Sequence, residues 1–541
     1  MNHWFVISVR EKLLLMPLLP VVVAYIVGLI LPSDVHPMLR VALGVCAIFV
    51  AFLLRRHPHP RMLSLYLAVA VAGSLWQTVY LQRSGYLQSV ESCPQSNVAV
   101  PCDRSVTLCA VVADEPRRTP YGMLIDCYAV HRRDALNNRL IVCAVRDCSF
   151  IPHVGQTMLL RGHFNAINST AEEKTARGRA FNKYLMSRGI AGEMTVTTAE
   201  AAEPFLDSLP FFKRLSVKAK ILRNEMLEGL KQEMEGNGQQ VGEYAVVAAM
   251  AFGERSGIDR NTRDAFSQTG TAHFLALSGM HLGILFALLS QVFFRFLSLF
   301  LNYFNAVFVR QVVLVVTVWG YVMLVGMPAS VVRAAVMLTV YSVALVGMRQ
   351  RMSANALFLA ALMILVANPL ALWDVGFELS FMAMVGIFVF FKYLYGLIDA
   401  EWLLAHRCMG TVWAMVCVTT AAQIATLPLS LYYFGRLPLL SILANIIAAP
   451  LVILLLYAVL AGMVLWWIPV VRWLMVKVMT AVSWLMTATL GRLSELPWVS
   501  IDGISINCWQ LILMYVFIAL VMVAVVFARH ISARGASYRC G

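Results

Sequence analysis

The chain has 541 residues, of which 60% are hydrophobic and only 13% are charged, and its mean hydropathy is +0.74. A soluble globular protein carries about 25% charged residues. This composition excludes the soluble globular class and predicts a polytopic α-helical membrane protein. The net charge of +14 is compatible with a polyanionic partner, but charge alone does not require one.

Runs of apolar residues predict about twelve membrane spans, three before a long polar region and nine after it. The predicted spans lie near residues 13–31, 38–54, 62–81, 272–300, 309–326, 330–348, 353–371, 376–396, 409–433, 439–467, 472–492 and 508–529. The first run is too long for the apolar core of a signal peptide and lacks a small-residue cleavage site, so we interpret it as a retained span.

Basic residues concentrate in alternate short loops, which indicates the orientation of the chain. They are Arg10, Lys12, Arg55, Arg56, Arg61, Arg349, Arg351, Arg529, Arg534 and Arg539. Loops rich in Lys and Arg remain in the cytoplasm. We therefore expect both termini in the cytoplasm and the polar region outside, and this topology accounts for much of the net positive charge.

The polar region, residues 82–204, contains short runs rich in Val, Leu and Thr that are separated by turn residues. Such runs are typical of β-strands. About five strands predict a small barrel resembling an OB-fold, with a generic β-sandwich as the alternative. Cys127 and Cys143 flank the predicted turn HRRDALNN, and an extracytoplasmic location permits disulfides. We expect these two cysteines to be bonded, with two buried free thiols as the alternative.

An amphipathic basic helix is predicted within residues 205–241. Its apolar positions recur at helical spacing at Phe211, Leu215, Ala219, Leu222, Met226 and Leu230, and Lys and Arg crowd its first half. Such a helix lies on a bilayer surface or packs on the membrane domain with a solvated charged face. The pattern leaves both alternatives open.

The segment TGTAHFLALSGMHLGIL, residues 269–285, interrupts an apolar run with polar and small residues. One interpretation is a metal site at His273 and His281. These residues are eight positions apart, which is about 12 Å along a regular helix and too far for one ion. No HExxH or CxxC pattern supports them, so we expect neither a metal nor another cofactor.

A second interpretation is a serine nucleophile, because LSGMH superficially resembles the serine motif of rhomboid proteases. Only His281 could act as its base within the nine predicted spans after the polar region, which we call the second block. An orienting third residue is missing. The third interpretation is an interrupted helix that lines a polar conduit, with Gly279 permitting the break. Hydrogen bonding between helices is the plainer alternative for each residue taken singly.

The shared location of the irregular polar segments favours the conduit interpretation. The predicted topology places irregular polar segments in the outer half of the second block, whereas chance would scatter them over both leaflets. The candidate lining residues are His273, Ser278, Gly279, His281, Arg333, Asp374, Glu378, Gln423 and Asn445. We also expect Arg333, Asp374 and Glu378 to approach one another, because an isolated charge in a membrane is costly.

Several motifs occur together in one order, namely TGTAHFLALSGMHLGIL, SVVRA, NPLALWDVGFELSFMAMVGI and PLSLYYFGRLPLLSILANIIAAPLV. In these motifs, and in the arrangement of N-terminal spans, OB-like domain and amphipathic helix, the chain resembles ComEC-type competence proteins. The resemblance divides the chain into N-terminal spans (1–81), an OB-like domain (82–204), the amphipathic helix (205–241) and a channel domain (242–541).

The resemblance implies translocation of single-stranded DNA across the bacterial inner membrane during natural transformation. It implies DNA and the lipid bilayer as partners, together with a periplasmic DNA-delivery protein and a cytoplasmic helicase or single-strand-binding factor. Self-association of the chain is left open. Many family members continue into a metallo-β-lactamase-like domain, whereas this chain has no HxHxDH motif, so we expect a channel and no nuclease. A transporter or scaffold for another substrate, or an intramembrane Ser/His hydrolase, is the alternative.

Overall fold

A computed structural model defines the architecture. It describes residues 18–30, 37–53, 58–83, 106–119, 122–130, 139–145, 152–166, 185–203, 206–236, 241–297, 299, 303–346 and 353–537. The chain forms two compact units. The first unit comprises Met1–Glu233 and Ser278–Phe377, and the second comprises Met234–Leu277 and Glu378–Gly541.

Seventeen α-helices occur within the described ranges. The first eleven are α1 (Leu18–Ile30), α2 (Pro37–Leu53), α3 (Pro58–Arg83), α4 (Phe211–Gly236), α5 (Val241–Phe252), α6 (Arg260–Gln268), α7 (Ala272–Leu275), α8 (Gly279–Leu297), α9 (Tyr303–Leu324), α10 (Ala329–Val346) and α11 (Ser353–Ala367). The remaining six are α12 (Val375–Tyr395), α13 (Ala400–Ala405), α14 (Arg407–Phe434), α15 (Ser441–Val464), α16 (Pro469–Ser494) and α17 (Cys508–Ser537).

Nine helices of the described part of the chain are long and apolar enough to cross a membrane. Their spans are Met62–Leu81, Gly279–Phe296, Asn305–Leu324, Ala329–Val346, Val375–Tyr395, Arg407–Phe434, Ser441–Val464, Pro469–Ser494 and Cys508–Ala528. Three other predicted spans correspond to shorter apolar helices, Leu18–Ile30, Met38–Leu53 and Asn355–Ala367. A polytopic helical membrane protein is therefore confirmed, whereas the count of twelve spans stays a prediction.

The polar region of the first unit folds as a small β-barrel. Its strands are β1 (Val106–Val112), β2 (Arg117–Thr119), β3 (Gly122–Ala129), β4 (Leu140–Val145), β5 (Thr157–Ala166) and β6 (Ile190–Ala201). The order β1-β5-β6-β4-β3 closes through pairing of β1 with β3, and β2 extends β3 at the side. Strands β4 and β6 are parallel, and the other pairs are antiparallel. Closure into five strands confirms the barrel, so the sandwich alternative is wrong.

The predicted disulfide is corrected by the strand register. Strands β3 and β4 are antiparallel neighbours, as expected, but Cys127 lies opposite Ile141 and Cys143 lies opposite Ile125. Both cysteines are buried free thiols. Diagonal residues on neighbouring strands have their Cβ atoms farther apart than a disulfide requires. A hydrogen bond with Cys143, together with burial, raises the pKa of the Cys127 thiol well above its usual value.

The amphipathic helix is present as α4, but its buried face differs in part from the predicted one. Phe211 and Leu222 are 61% and 52% exposed, whereas Lys220 and Arg223 are buried. In its first half, Val217 joins a cluster with Val111 of β1. The helix therefore packs on the barrel with part of its basic face inward, a contact that neither sequence-based alternative anticipated.

The membrane part of the first unit contains two groups of packed helices. The N-terminal helices α1 and α2 pack on α3, and α1 also packs on α11. Trp76 of α3 donates a 2.7 Å hydrogen bond from Nε1 to the carbonyl oxygen of Val366 in α11. Helices α8, α9 and α10 pack on one another. These contacts hold the two loops that precede α10 and α12 within one compact body.

The second unit contains α5, a short helix whose residues 245–252 are all apolar. Residues 245–252 are each no more than 3% exposed, as is typical of a helix surrounded by protein. Helices α7, α15 and α16 pack on it. A short ladder of β7 (Arg436–Pro438) and β8 (Ser500–Asp502) follows α14 and α16 respectively.

Candidate channel-lining site

The helix of residues 269–285 is broken into two pieces, as predicted. Helix α7 ends at Leu275, Ala276 is extended with φ −89° and ψ 127°, and α8 begins at Gly279. The break therefore precedes Gly279 and does not require its backbone freedom. Gly279 instead provides space, because a Cβ atom there would lie 3.2 Å from Cβ of Ala334 in α10.

Ser278 and His281 are joined at the start of α8. The Ser278 hydroxyl lies 2.8 Å from Nδ1 of His281, and the Ser278 backbone N–H donates to the same nitrogen at 3.3 Å. Ser278 occupies the position before the helix and His281 its third position, the places of the two partners in a capping box. Because His281 is only 1% exposed, this pair first of all satisfies a buried side chain at the start of α8.

Arg333 and Asp374 form an ion pair inside the first unit. Nη1 of Arg333 donates to Oδ2 of Asp374 at 3.1 Å, and the two side chains are 6% and 17% exposed. Asp374 also accepts a 2.9 Å hydrogen bond from the Gly376 backbone at the start of α12. The guanidinium lies beside Gly376, where a Cβ atom would be 3.0 Å from Nη2. Two of the three charges that were expected to group are thus in direct contact.

Glu378, the third expected charge, belongs to the second unit. Its Oε2 accepts a 2.9 Å hydrogen bond from the Tyr433 hydroxyl at the end of α14. Sequence reasoning missed Tyr433, since an aromatic residue at the end of a span is ordinarily assigned to the membrane interface. The contact joins the start of α12 to the end of α14.

A polar strip joins α14 to α15 in the second unit. Gln423 donates a hydrogen bond from Nε2 to Oγ of Ser441, and Asn445 lies one helical turn beyond Ser441 on the same face. Oδ1 of Asn445 is buried and has no hydrogen-bond partner within the described part of the chain. Gln423 and Asn445 were predicted from the sequence, whereas Ser441 was not, because its position at the helix start gave no separate signal.

The segment Thr269–Thr271, which precedes α7, is held tightly in the second unit. The Thr269 and Thr271 hydroxyls are 2.8 Å apart and both residues are fully buried. Gly270 has φ +74°, and a Cβ atom there would lie 2.7 Å from Cβ of Ser441. Only glycine suits both the left-handed conformation and the close approach.

His273 follows this buried turn and is exposed, with its ring centroid 4.2 Å from that of Phe274. Across the described residues, no three His, Cys, Asp or Glu side chains are grouped so that they could hold a metal ion. The structure thus places the candidate residues in two sets, one in each unit: Ser278, Gly279, His281, Arg333 and Asp374 in the first, and His273, Glu378, Gln423 and Asn445 in the second.

Comparison with known proteins adds an independent finding. The family described as "Competence protein" matches residues 250–527, more than half of the chain and most of the candidate site. The ComE operon protein 3 of Bacillus subtilis (strain 168) is 30% identical over 206 residues, which are 38% of this chain and 24% of that protein. No solved structure matches the chain.

Two further relatives match a similar share. Recombination protein 2 of Haemophilus influenzae (strain ATCC 51907 / DSM 11121 / KW20 / Rd) is 30% identical over 253 residues, 44% of this chain and 30% of that protein. The uncharacterized protein YcaI of Escherichia coli (strain K12) is 25% identical over 211 residues, 38% of this chain and 27% of that protein. The matches thus span about a quarter to a third of these curated relatives. Because the family match covers more than half of the chain and includes the interrupted helix and the Arg333–Asp374 pair, the chain belongs to the ComEC-type competence protein family.

Proposed function

We propose that this protein carries single-stranded DNA across the bacterial inner membrane during natural transformation. Membership of the competence protein family supports this function. The observation that carries it is the polar strip of the second unit. Gln423 donates to Ser441 there, and the buried Oδ1 of Asn445, one helical turn after Ser441, has no hydrogen-bond partner among the described residues. A buried polar group without a partner is costly, and a hydrated path would supply the missing donor.

The proposed topology has both termini in the cytoplasm and the barrel outside. Helices that cross in alternate directions then present the ends carrying the candidate residues on the outer side, namely the starts of α8, α10, α12 and α15 and the end of α14. Within each unit, these are the helix ends that we propose to contact DNA. The proposed regions are the N-terminal spans (1–81), the OB-like domain (82–204), the amphipathic helix (205–241) and the channel domain (242–541).

Single-stranded DNA requires a hydrated groove with scattered polar, basic or aromatic contacts. In this proposal the histidines act as hydrogen-bonding groups, and Arg333 maintains the shape of the entry because its charge is already paired with Asp374. A periplasmic DNA-delivery protein would bring the substrate. A cytoplasmic helicase or single-strand-binding factor would receive it, and any strand degradation would be done by a separate protein.

Uptake of labelled DNA by a deletion strain, complemented with the wild-type chain, tests the proposal. We expect the deletion to abolish entry of DNA into the cytoplasm while DNA still reaches the cell surface, and we expect the wild-type chain to restore entry. Normal cytoplasmic uptake in the deletion strain would refute the proposed function.

A Ser/His hydrolase is the second candidate, favoured by the 2.8 Å contact between Ser278 and His281. A serine nucleophile needs such a base within hydrogen-bonding reach. Incubation of the purified protein with a serine-directed fluorophosphonate probe separates the two functions. Labelling that Ser278→Ala removes would favour the hydrolase, whereas unlabelled protein that supports full uptake favours the channel.

A further inference from the structure

The Arg333–Asp374 pair is carried by two short loops of the first unit. Residues 325–328 connect α9 to α10, which bears Arg333 four residues after its start. The turn Pro369–Trp373 connects α11 to Asp374, which directly precedes α12. The relative position of these two loops therefore determines whether the guanidinium and the carboxylate meet.

The barrel reaches the first loop through Lys220 of α4. Nζ of Lys220 donates to the carbonyl oxygen of Ala113 at 2.8 Å and to Oδ2 of Asp114 at 2.9 Å. Both acceptors directly follow β1. The stem of the same side chain lies over Gly326, where a Cβ atom would be 2.5 Å from Cε of Lys220. Lys220 thus contacts the barrel with its charge and the loop with its stem.

The burial of Lys220 makes this contact specific. The residue is 8% exposed, and a buried ammonium needs its carboxylate and carbonyl partners to remain in place. On the loop side the backbone is unusual, because Gly326 and Met327 both have positive φ, +83° and +58°. A non-glycine residue in this conformation is uncommon and persists where its surroundings hold it.

The second loop is reached through Asn368, at the end of α11. Its Nδ2 donates a 2.8 Å hydrogen bond to the carbonyl oxygen of Ser187, in the segment that leads into β6. Its Oδ1 accepts from the backbone N–H of Leu370 at 3.1 Å and so begins the turn Pro369–Trp373. One amide therefore links the barrel segment to the turn that presents Asp374.

We infer that Lys220 and Asn368 are positioning residues through which the barrel controls the Arg333–Asp374 pair. Each links the barrel side to one loop, so that a shift of the barrel is transmitted to both partners of the pair. A DNA strand that displaces the barrel would thereby loosen the Arg333–Asp374 ion pair. This consequence for uptake rests on the proposed function, whereas the mechanical link does not.

Hydrogen–deuterium exchange of the purified full chain tests the link without any DNA. Lys220→Met keeps the stem and removes the charge. Asn368→Asp keeps Oδ1 for Leu370 and removes the donor to Ser187. We expect exchange in peptides covering 325–335 for the first variant, and 368–377 for the second, to become at least about tenfold faster, as for a local opening that has lost a buried partner. Lys218→Met, an exposed lysine of the same helix, is the matched control and should change neither peptide.

Barrel peptides serve as the internal check for folding. If Lys220→Met also loses protection in β1 and β3, that variant is replaced by Lys220→Arg, which keeps a charge. Asn368→Asp tests the second link independently, because Asn368 lies outside the barrel. Unchanged exchange in both loops with an intact barrel would overturn the inference.

The uptake assay then separates this inference from the proposed function. Both variants should reduce uptake at least about tenfold, since they disturb the geometry that positions the pair. Faster exchange with unchanged uptake would refute barrel control of the pair in transport. Normal uptake by the deletion strain would refute the proposed function and leave the exchange result to decide the mechanical link.

Discussion

The guanidinium of Arg333 lies 3.1 Å from the carboxylate of Asp374, and both groups are largely removed from solvent. Asp374 also caps α12 through the backbone N–H of Gly376. The pair therefore joins the beginnings of two long apolar helices, α10 and α12. A buried arginine in an apolar helix is tolerated because a carboxylate pairs with it, so its first role is to fix the packing of these helices.

Breaking this pair from one side should be more damaging than removing it altogether. We expect Arg333→Ala to destabilise the protein by about 3–5 kcal/mol, because it leaves the Asp374 carboxylate buried and unpaired. The double variant Arg333→Ala, Asp374→Asn keeps a side-chain oxygen for the Gly376 cap and should recover a large part of the loss. Thermal unfolding of the purified single variants Arg333→Ala and Asp374→Asn, and of the double variant, measures the coupling. Additive losses would show that the two residues do not interact energetically.

The start of α8 distinguishes helix packing from covalent chemistry. Ser278→Ala should reduce stability by about 1 kcal/mol through the lost cap and leave uptake nearly unchanged. Gly279→Leu should abolish uptake, because its side chain meets Ala334. Gly283→Leu is the matched control, since a Cβ atom at Gly283 has no neighbour within 4 Å. Loss of uptake in Ser278→Ala, with Gly279→Leu tolerated, would favour the hydrolase.

Asn445→Leu should affect stability and uptake in opposite directions. The substitution removes a buried amide oxygen for which the described residues offer no hydrogen-bond partner, and we expect this to raise stability by about 1 kcal/mol. It also removes a polar group from the proposed path and should lower uptake. Thermal unfolding and DNA uptake of the same variant, with expression measured by immunoblot, give both quantities. A loss of stability would indicate that Asn445 serves helix packing.

Tyr433→Phe removes the hydroxyl that donates to Glu378 and keeps the ring. Hydrogen bonds between membrane helices contribute about 0.6 kcal/mol on average, so we expect a small but measurable decrease in stability. Tyr432→Phe, at the neighbouring position, is the control for the loss of a hydroxyl at this helix end. Equal effects of the two variants would remove any special role of the Glu378 contact.

The junction of α4 with the barrel should weaken only in acid. Burial tends to raise the pKa of Asp114, but the Lys220 ammonium and the Arg223 guanidinium outweigh it and hold this pKa below its usual value. A carboxyl group with a depressed pKa in the folded state stabilises the fold above its unfolded pKa of about 3.9 and loses this effect as the pH falls through the folded pKa. The contribution is modest because the Asp114 side chain is 42% exposed.

Hydrogen exchange in α4 measured between pH 3 and 7, corrected for the intrinsic rate, checks this expectation. The wild-type helix should become less protected only below about pH 4, the usual carboxyl range. Asp114→Asn should lose some protection at neutral pH and show a weaker acid dependence. An equal acid response in both proteins would assign the effect to another group.

Two features of this protein were predictable from local sequence. The apolar runs gave the membrane helices, because a segment such as Ser441–Val464 can satisfy its backbone in lipid only as a helix. The barrel strands were predictable for a similar reason. Residues 122–129 alternate strictly between the barrel interior and a less buried face. This alternation has a period of two residues and can be recognised in the sequence.

The tertiary structure decided the contacts within the candidate site. Lys220 is buried because Asp114, far away in sequence, lies opposite it. The periodicity of apolar residues along a helix, in contrast, predicts that every lysine lies on the exposed face. In the same way, a two-residue offset in strand register separates Cys127 from Ile125, the residue that lies opposite Cys143. Sequence by itself determined which segments enter the membrane and which form strands, because the spacing of apolar residues along a segment is a local property. Which side chains meet was decided by packing between distant segments, because charge pairing and close approach depend on the partner that the fold supplies.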